Sequence, residues 1–348
     1  MTKYRKHVYC ESNFLETCIS KTENWKVSGI DFKELEMWIC LRSMLFGSDI
    51  ILHLDIPKDD FVAIAQKKST DLSYFEKQLR LLFFQQQEGK SILKLTDEFV
   101  TLDKIVLSND QHLTSYFLTC ADNEMCEKCM NDYGVMVINP TRIKEFGFVL
   151  LDEGVAVSRN EKASWGSILK RFPCNCLALI DNYIFSDETI RHENLKGIFG
   201  ALLPEKLDLN IPFQIAIITS LKKNHNNEDI NSKACYEETA TLIGELRPNL
   251  YFKLSFFKCN KFHDRSIITN NTYINCAGGF DLIENGKPKK TTTISIAYPY
   301  INNSIKWLSN AYSNIIQEAT NVTQSATEFR ADCLSGFYVG EKRFRLFS

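Results

Sequence analysis

Short apolar runs of about five residues alternate with amphipathic stretches of helical length along most of this chain, and that alternation constrains the fold more than any single motif. In the first 150 residues the runs at 7–10, 50–54, 115–120 and 135–138 read as strands. Helical stretches at 14–19, 32–46, 59–67, 72–88 and 123–132 separate them, and Leu35, Trp38, Ile39, Leu41 and Leu45 form the apolar side of the second. Strands joined through helices imply a mostly parallel sheet, whose chemistry collects at the carboxyl ends of the strands. The second half repeats the alternation, with strands expected at 176–180, 213–219, 251–257 and 291–297 and helices at 165–172, 190–202, 232–246 and 305–316. Between the halves, the polar segment 151–163 reads as a connection. The expected architecture is α/β in two domains, 1–150 and 164–348, the first a mostly parallel sheet and the second a mixed one.

A chain of 348 residues with 44% hydrophobic and 24% charged content can fill two such cores. A formal charge of −2 argues against a wholesale nucleic-acid coat protein and leaves room for local basic patches. No run approaches ~18 consecutive apolar residues, so no membrane span is expected. The opening Met1-Thr-Lys-Tyr-Arg-Lys6 has no apolar core of a signal peptide; the twelve cysteines are then expected as reduced thiols in the cytoplasm.

The most distinctive stretch is 261–281. His263, Arg265, Ile267 and Thr269 alternate with Asp264, Ser266 and Ile268, a period-two strand pattern. Asn270-Asn271 is a hairpin signal, 273–276 a return strand, and Gly278-Gly279 a tight turn beyond it. His263 and Arg265, two apart on a strand, would share a face, so an imidazole could attack phosphorus while a guanidinium holds phosphate oxygens.

His263-x-Arg265-x4-Asn270, followed by Gly278-Gly279-Phe280-Asp281, resembles the phospholipase D superfamily signature, and most of all the phospholipase D-like domain at the C-terminus of MIT-domain proteins. The resemblance covers about residues 175–320. It implies a mixed-sheet fold and a site in which His263 and Arg265 meet phosphate while Asn270 and Asp281 orient the imidazole. Arg265, Asn270 and Gly279 stand where active members have Lys, Asp and Ser, and a single copy of the motif is present. A two-histidine active site would therefore require a homodimer. Lys287, Lys289, Lys290, Lys342, Arg343 and Arg345 supply cations for a phosphate backbone.

In the first half, His7-Val-Tyr-Cys-Glu-Ser-Asn-Phe-Leu15 resembles the opening of PIN-like nuclease domains, and Phe117-Leu-Thr-Cys-Ala-Asp122 a late metal-binding strand of that family. The resemblance implies Mg²⁺ or Mn²⁺ held by Glu11 and Asp122, with further carboxylates drawn from Glu36, Asp103 and Asp110. The plain alternative is helix capping, since Glu11 and Asp122 both precede helices. Cys126-x-x-Cys129 and Cys174-x-Cys176 have tolerable spacing for zinc, but the first pair reads more simply as small core hydrophobes on a helix.

The leading expectation is a nucleic-acid-processing protein, in the setting of bacterial defence, with a PIN-like metal-dependent half and a phospholipase D-like recognition half that also meets a protein partner. Two alternatives stay open: a metal-independent phosphodiesterase using His263 across a dimer, and a non-catalytic binding module.

Overall fold

The computed structural model describes residues 6–298 apart from 28, 48–49, 90–91, 97–115, 151–152, 170–171, 209–210, 221–230, 259–261 and 263–264, together with 317 and 346. The helix expected at 305–316 and the basic tail carrying Lys342, Arg343 and Arg345 lie outside the described residues. The chain divides into two compact units: Met1–Met130 with Val135–Leu151 and Tyr298–Ser313, and Asn131–Gly134 with Asp152–Ala297 and Asn314–Ser348.

In the first unit β1 (Lys6–Cys10) is followed by α1 (Ser12–Glu23), α2 (Phe32–Leu45), β2 (Ile50–Leu54), α3 (Lys58–Gln66), α4 (Tyr74–Gln87), β3 (Ile92–Leu95) and β4 (Tyr116–Leu118); then come α5 (Asn123–Tyr133), whose last three residues belong to the second unit, β5 (Met136–Ile138) and a 3-10 helix (Pro140–Leu150). The strands form an all-parallel sheet in the order β3-β2-β1-β4-β5. Helix starts are chemically marked. Asp31 accepts from the Glu34 amide at 2.8 Å, and Ser73 with Glu76 closes a reciprocal capping box. β3 escapes the sequence reading because it is a four-residue run beside charged neighbours.

The second unit contains β6 (Glu153–Val157), α6 (Trp165–Ile168), β7 (Cys176–Ile180), α7 (Glu188–Leu202), β8 (Phe213–Thr219), α8 (Ser232–Leu246), β9 (Phe252–Lys258), β10 (Ser266–Thr269), β11 (Tyr273–Cys276), β12 (Ile283–Glu284), β13 (Lys287–Pro288) and β14 (Thr292–Ala297). Seven of these strands make a mixed sheet in the order β6-β14-β11-β10-β7-β8-β9. β7, β8 and β9 run parallel, and β10, β11, β14 and β6 add to them antiparallel to their neighbours. Every residue of β7 and β8 is buried, as expected of strands covered on both faces. The segment expected to connect the halves supplies β6, because pairing with β14 satisfies a backbone that its own composition does not commit to a strand.

Two details of the hairpin differ from the sequence pattern. β10 begins at Ser266, so Arg265 stands just before the strand; His263 and Asp264 lie outside the described residues. Asn270 sits at the opposite end of β10, separated from Arg265 by extended chain of roughly 16 Å. There its Oδ1 accepts from the Asn175 amide at 3.1 Å and its Nδ2 donates to the Gly134 carbonyl at 3.0 Å, with the residue 1% exposed. Asn270 is expected to orient the imidazole of His263, which lies outside the described residues; in the structure Asn270 secures a buried turn at the end of β10 away from Arg265.

Candidate functional sites at two sheet edges

The register of the seven-stranded sheet pairs Ser266 with both Ile180 and Asn275. The carboxyl ends of β7 and β11 and the amino end of β10 thus meet at one edge, bringing Asp181, Arg265 and the Gly278–Asp281 turn together. Asp181 is 1% exposed, and its Oδ1 and Oδ2 accept from the amides of Tyr183 and Phe280, both at 2.8 Å. Its Oδ1 also lies 3.8 Å from Nε of Arg265. Burial raises the Asp181 carboxyl pKa, outweighing the two amides and the guanidinium that pull it down, while the charge of Asp281 adds to the rise.

Arg265 spans this edge. One terminal nitrogen donates to the Ala277 carbonyl at 2.8 Å, and the guanidinium carbon lies 5.2 Å from the centroid of the Tyr183 ring. Gly279 makes the approach possible. Its φ is +87°, and a Cβ there would lie 2.7 Å from Oδ1 of Asp281 and 3.2 Å from Cδ of Arg265. At Gly278 a Cβ would lie 3.1 Å from Cε of Lys290, so the glycine pair lets two cationic side chains lie against one turn.

Of the other residues expected here, Asp281 is half-buried, with its Oδ2 3.8 Å from Nζ of Lys289, which is also 3.9 Å from Asp187. Lys287 and Lys290 are exposed. A two-residue hairpin, Asn285 (φ 52°) and Gly286 (φ 70°), presents Lys287; the Glu193 carboxylate holds both turn amides at 2.8 and 2.9 Å. Phe262 is buried and its carbonyl accepts from Asn182 at 2.6 Å, which ties Phe262 to the end of β7. Asp181 and Tyr183 were missed in the sequence. A carboxylate directly after a buried strand was the available signal, and only the register pairs it with Arg265.

In the parallel sheet the strand order reverses between β1 and β4, the position where open α/β sheets leave a crevice. Glu11 follows β1 there. Its Oε1 accepts from the Thr119 hydroxyl at 2.5 Å and its Oε2 from the Cys120 amide at 2.6 Å, so the carboxylate bridges the two strands. Asp55, following β2, accepts from the Ser12 amide at 2.5 Å. Its carboxyl pKa is raised, first by burial and then by the neighbouring Glu11 charge. Asp122 is exposed and caps α5, accepting from the Met125 amide at 2.8 Å. Asn139, after β5, donates to Asn123 at 2.7 Å and to the Ala121 carbonyl at 3.2 Å.

Asp55, which no sequence motif marked, is thus the carboxylate that shares Glu11's surroundings. Glu36 is exposed on α2, and Asp103 and Asp110 lie outside the described residues. Glu11 and Asp55 are hard oxygen donors, a set suited to Mg²⁺ or Mn²⁺ completed by waters and phosphate oxygens. Among the described residues no group of three His, Cys, Asp or Glu is placed to hold a metal ion. Cys126, Cys129, Cys174 and Cys176 are all buried; the Cys126 thiol points to the Ala121 carbonyl and the Cys174 thiol to that of Leu202. No helix among the described residues is long and apolar enough to cross a membrane. No family model matches the chain, and no curated protein matches its sequence.

Proposed function

We propose that the chain is a nucleic-acid-processing protein, with a metal-dependent phosphodiesterase site centred on Glu11 in its first unit and a phosphate-recognition site centred on Arg265 in its second. The observation that carries this reading is the carboxylate of Glu11 at the strand-order reversal with Asp55 nearby, where burial and then the Glu11 charge make the Asp55 carboxylate costlier to keep charged. A divalent cation relieves that cost. Glu11 and Asp55 would hold it, with Asp122 as a further candidate, and when bound it supplies a polarised water and charge stabilisation at phosphorus. The chain's own residues orient the donors: Thr119 and Cys120 fix the Glu11 oxygens, and Ser12 fixes Asp55. In the second unit the flanking of Gly278–Gly279 by Arg265 and Lys290 supports phosphate recognition.

The test is cleavage of RNA and DNA strands with Mg²⁺ or Mn²⁺. Cleavage should stop with chelator and with Glu11→Gln, and survive His263→Ala. Chelator-resistant cleavage that disappears in His263→Ala would move the chemistry to the second unit. Absence of cleavage under all conditions would leave a binding protein, a reading favoured by the tethering of Arg265 to Asp181 and Ala277.

A further inference from the structure

Tyr183 is 53% exposed at the Arg265 edge, yet its backbone is held on three sides. Its amide donates to Asp181, and its carbonyl accepts from the Ser186 amide at 2.9 Å and hydroxyl at 2.7 Å. An isolated exposed aromatic is ordinary. This one stands on a fixed turn, has a guanidinium over its ring at 5.2 Å, and shares an edge with the glycine turn flanked by Arg265 and Lys290. A rigid aromatic beside cations is the arrangement that takes a base by its face and the adjoining phosphate by charge, with little ordering cost on binding. Lys289, already between Asp187 and Asp281, adds little net charge to the patch. Affinity at this edge then leans on stacking, which a paired base inside a duplex cannot offer.

We propose that this edge binds single-stranded nucleic acid, one unpaired base stacked on the Tyr183 ring and its phosphate between Arg265 and Lys290. The proposal rests on the reading of the second unit as a nucleic-acid recognition half and names what that half selects.

The experiment measures binding of the full chain to a fluorescent 12-nucleotide single strand, the same strand with abasic sites throughout, and the matching duplex, at one low salt concentration. The intact strand should bind tightest. Tyr183→Ala should weaken it by about 5- to 150-fold, the range of one lost base–aromatic stack. Tyr183→Phe should retain binding, and the abasic strand should bind wild type and Tyr183→Ala alike. The abasic comparison needs no substitution, so a folding defect in Tyr183→Ala cannot imitate the result. Equal binding of intact and abasic strands, lost in Lys290→Glu, would overturn the stacking proposal and leave phosphate recognition standing. No binding of any strand or duplex by wild type would overturn both.

Discussion

Nε of Arg265 lies 3.8 Å from Oδ1 of Asp181, one partner partly open to solvent and the other sealed at the end of a buried strand. The asymmetry gives the pair its character. Asp181 spends its oxygens on two backbone amides that shape the turn beneath Tyr183 and the approach of Phe280, while the Arg265 side chain stays partly exposed.

Asp181→Ala is expected to destabilise the second unit by about 2–4 kcal/mol, because two amide donors lose their acceptor and at least that of Phe280 is buried. Chemical denaturation measures this. A loss below ~0.5 kcal/mol would mean that neither bond shapes the turn.

Gly279→Ala should cost about 1–3 kcal/mol, from the positive φ and from the 2.7 Å approach of a new Cβ to Asp281. Oligonucleotide affinity should fall with it, since the same Cβ would come within 3.2 Å of Cδ of Arg265. Unchanged stability and affinity would remove Gly279 from the account of the site.

For Asp55 the sign of the pH effect follows from a folded pKa raised above the ordinary value of 3.8. The folded state then holds the proton more tightly than the unfolded chain. The contribution of this group is fully present below the unfolded pKa and is lost as pH rises through the folded one. Asp55→Asn should flatten this part of the stability profile and gain less than about 1 kcal/mol at pH 7, the carboxyl being half exposed and screened by solvent. A mutant profile that parallels wild type from pH 3 to 7 would show that Asp55 is not the group responsible.

Glu11→Gln should abolish metal-dependent cleavage and also cost about 1–2 kcal/mol, because Gln keeps one acceptor oxygen and turns an N–H donor toward the other of the Thr119 hydroxyl and Cys120 amide donors. Loss of cleavage with wild-type stability would still place Glu11 in the chemistry, whereas full cleavage would exclude it.

Asn270→Ala should unfold at lower denaturant by about 2–4 kcal/mol, since Asn175 and Gly134 lose buried partners. Per folded molecule, strand binding at the Arg265 edge should not change. A selective loss of binding would return Asn270 to the site.

Periodicity was sufficient to reveal the two-unit α/β character and most of the elements. The strand at 176–180 and the helix at 232–246 correspond to β7 and α8, since β7 is a continuous apolar run and α8 ends one residue before Arg247-Pro248. Local chemistry also marked Glu11 as a residue at a strand end. The partners of these residues were set only by tertiary structure. β10 pairs with β7 in a register that puts Arg265 beside Asp181 and sends Asn270 to the other edge, although all three lie in or next to short apolar strands. β2 pairs with β1, and that brings Asp55 to Glu11 across 44 residues of sequence. Side-chain alternation along a strand is local and visible in sequence. Which strands become neighbours, and in what register, depends on long-range burial that no local pattern encodes.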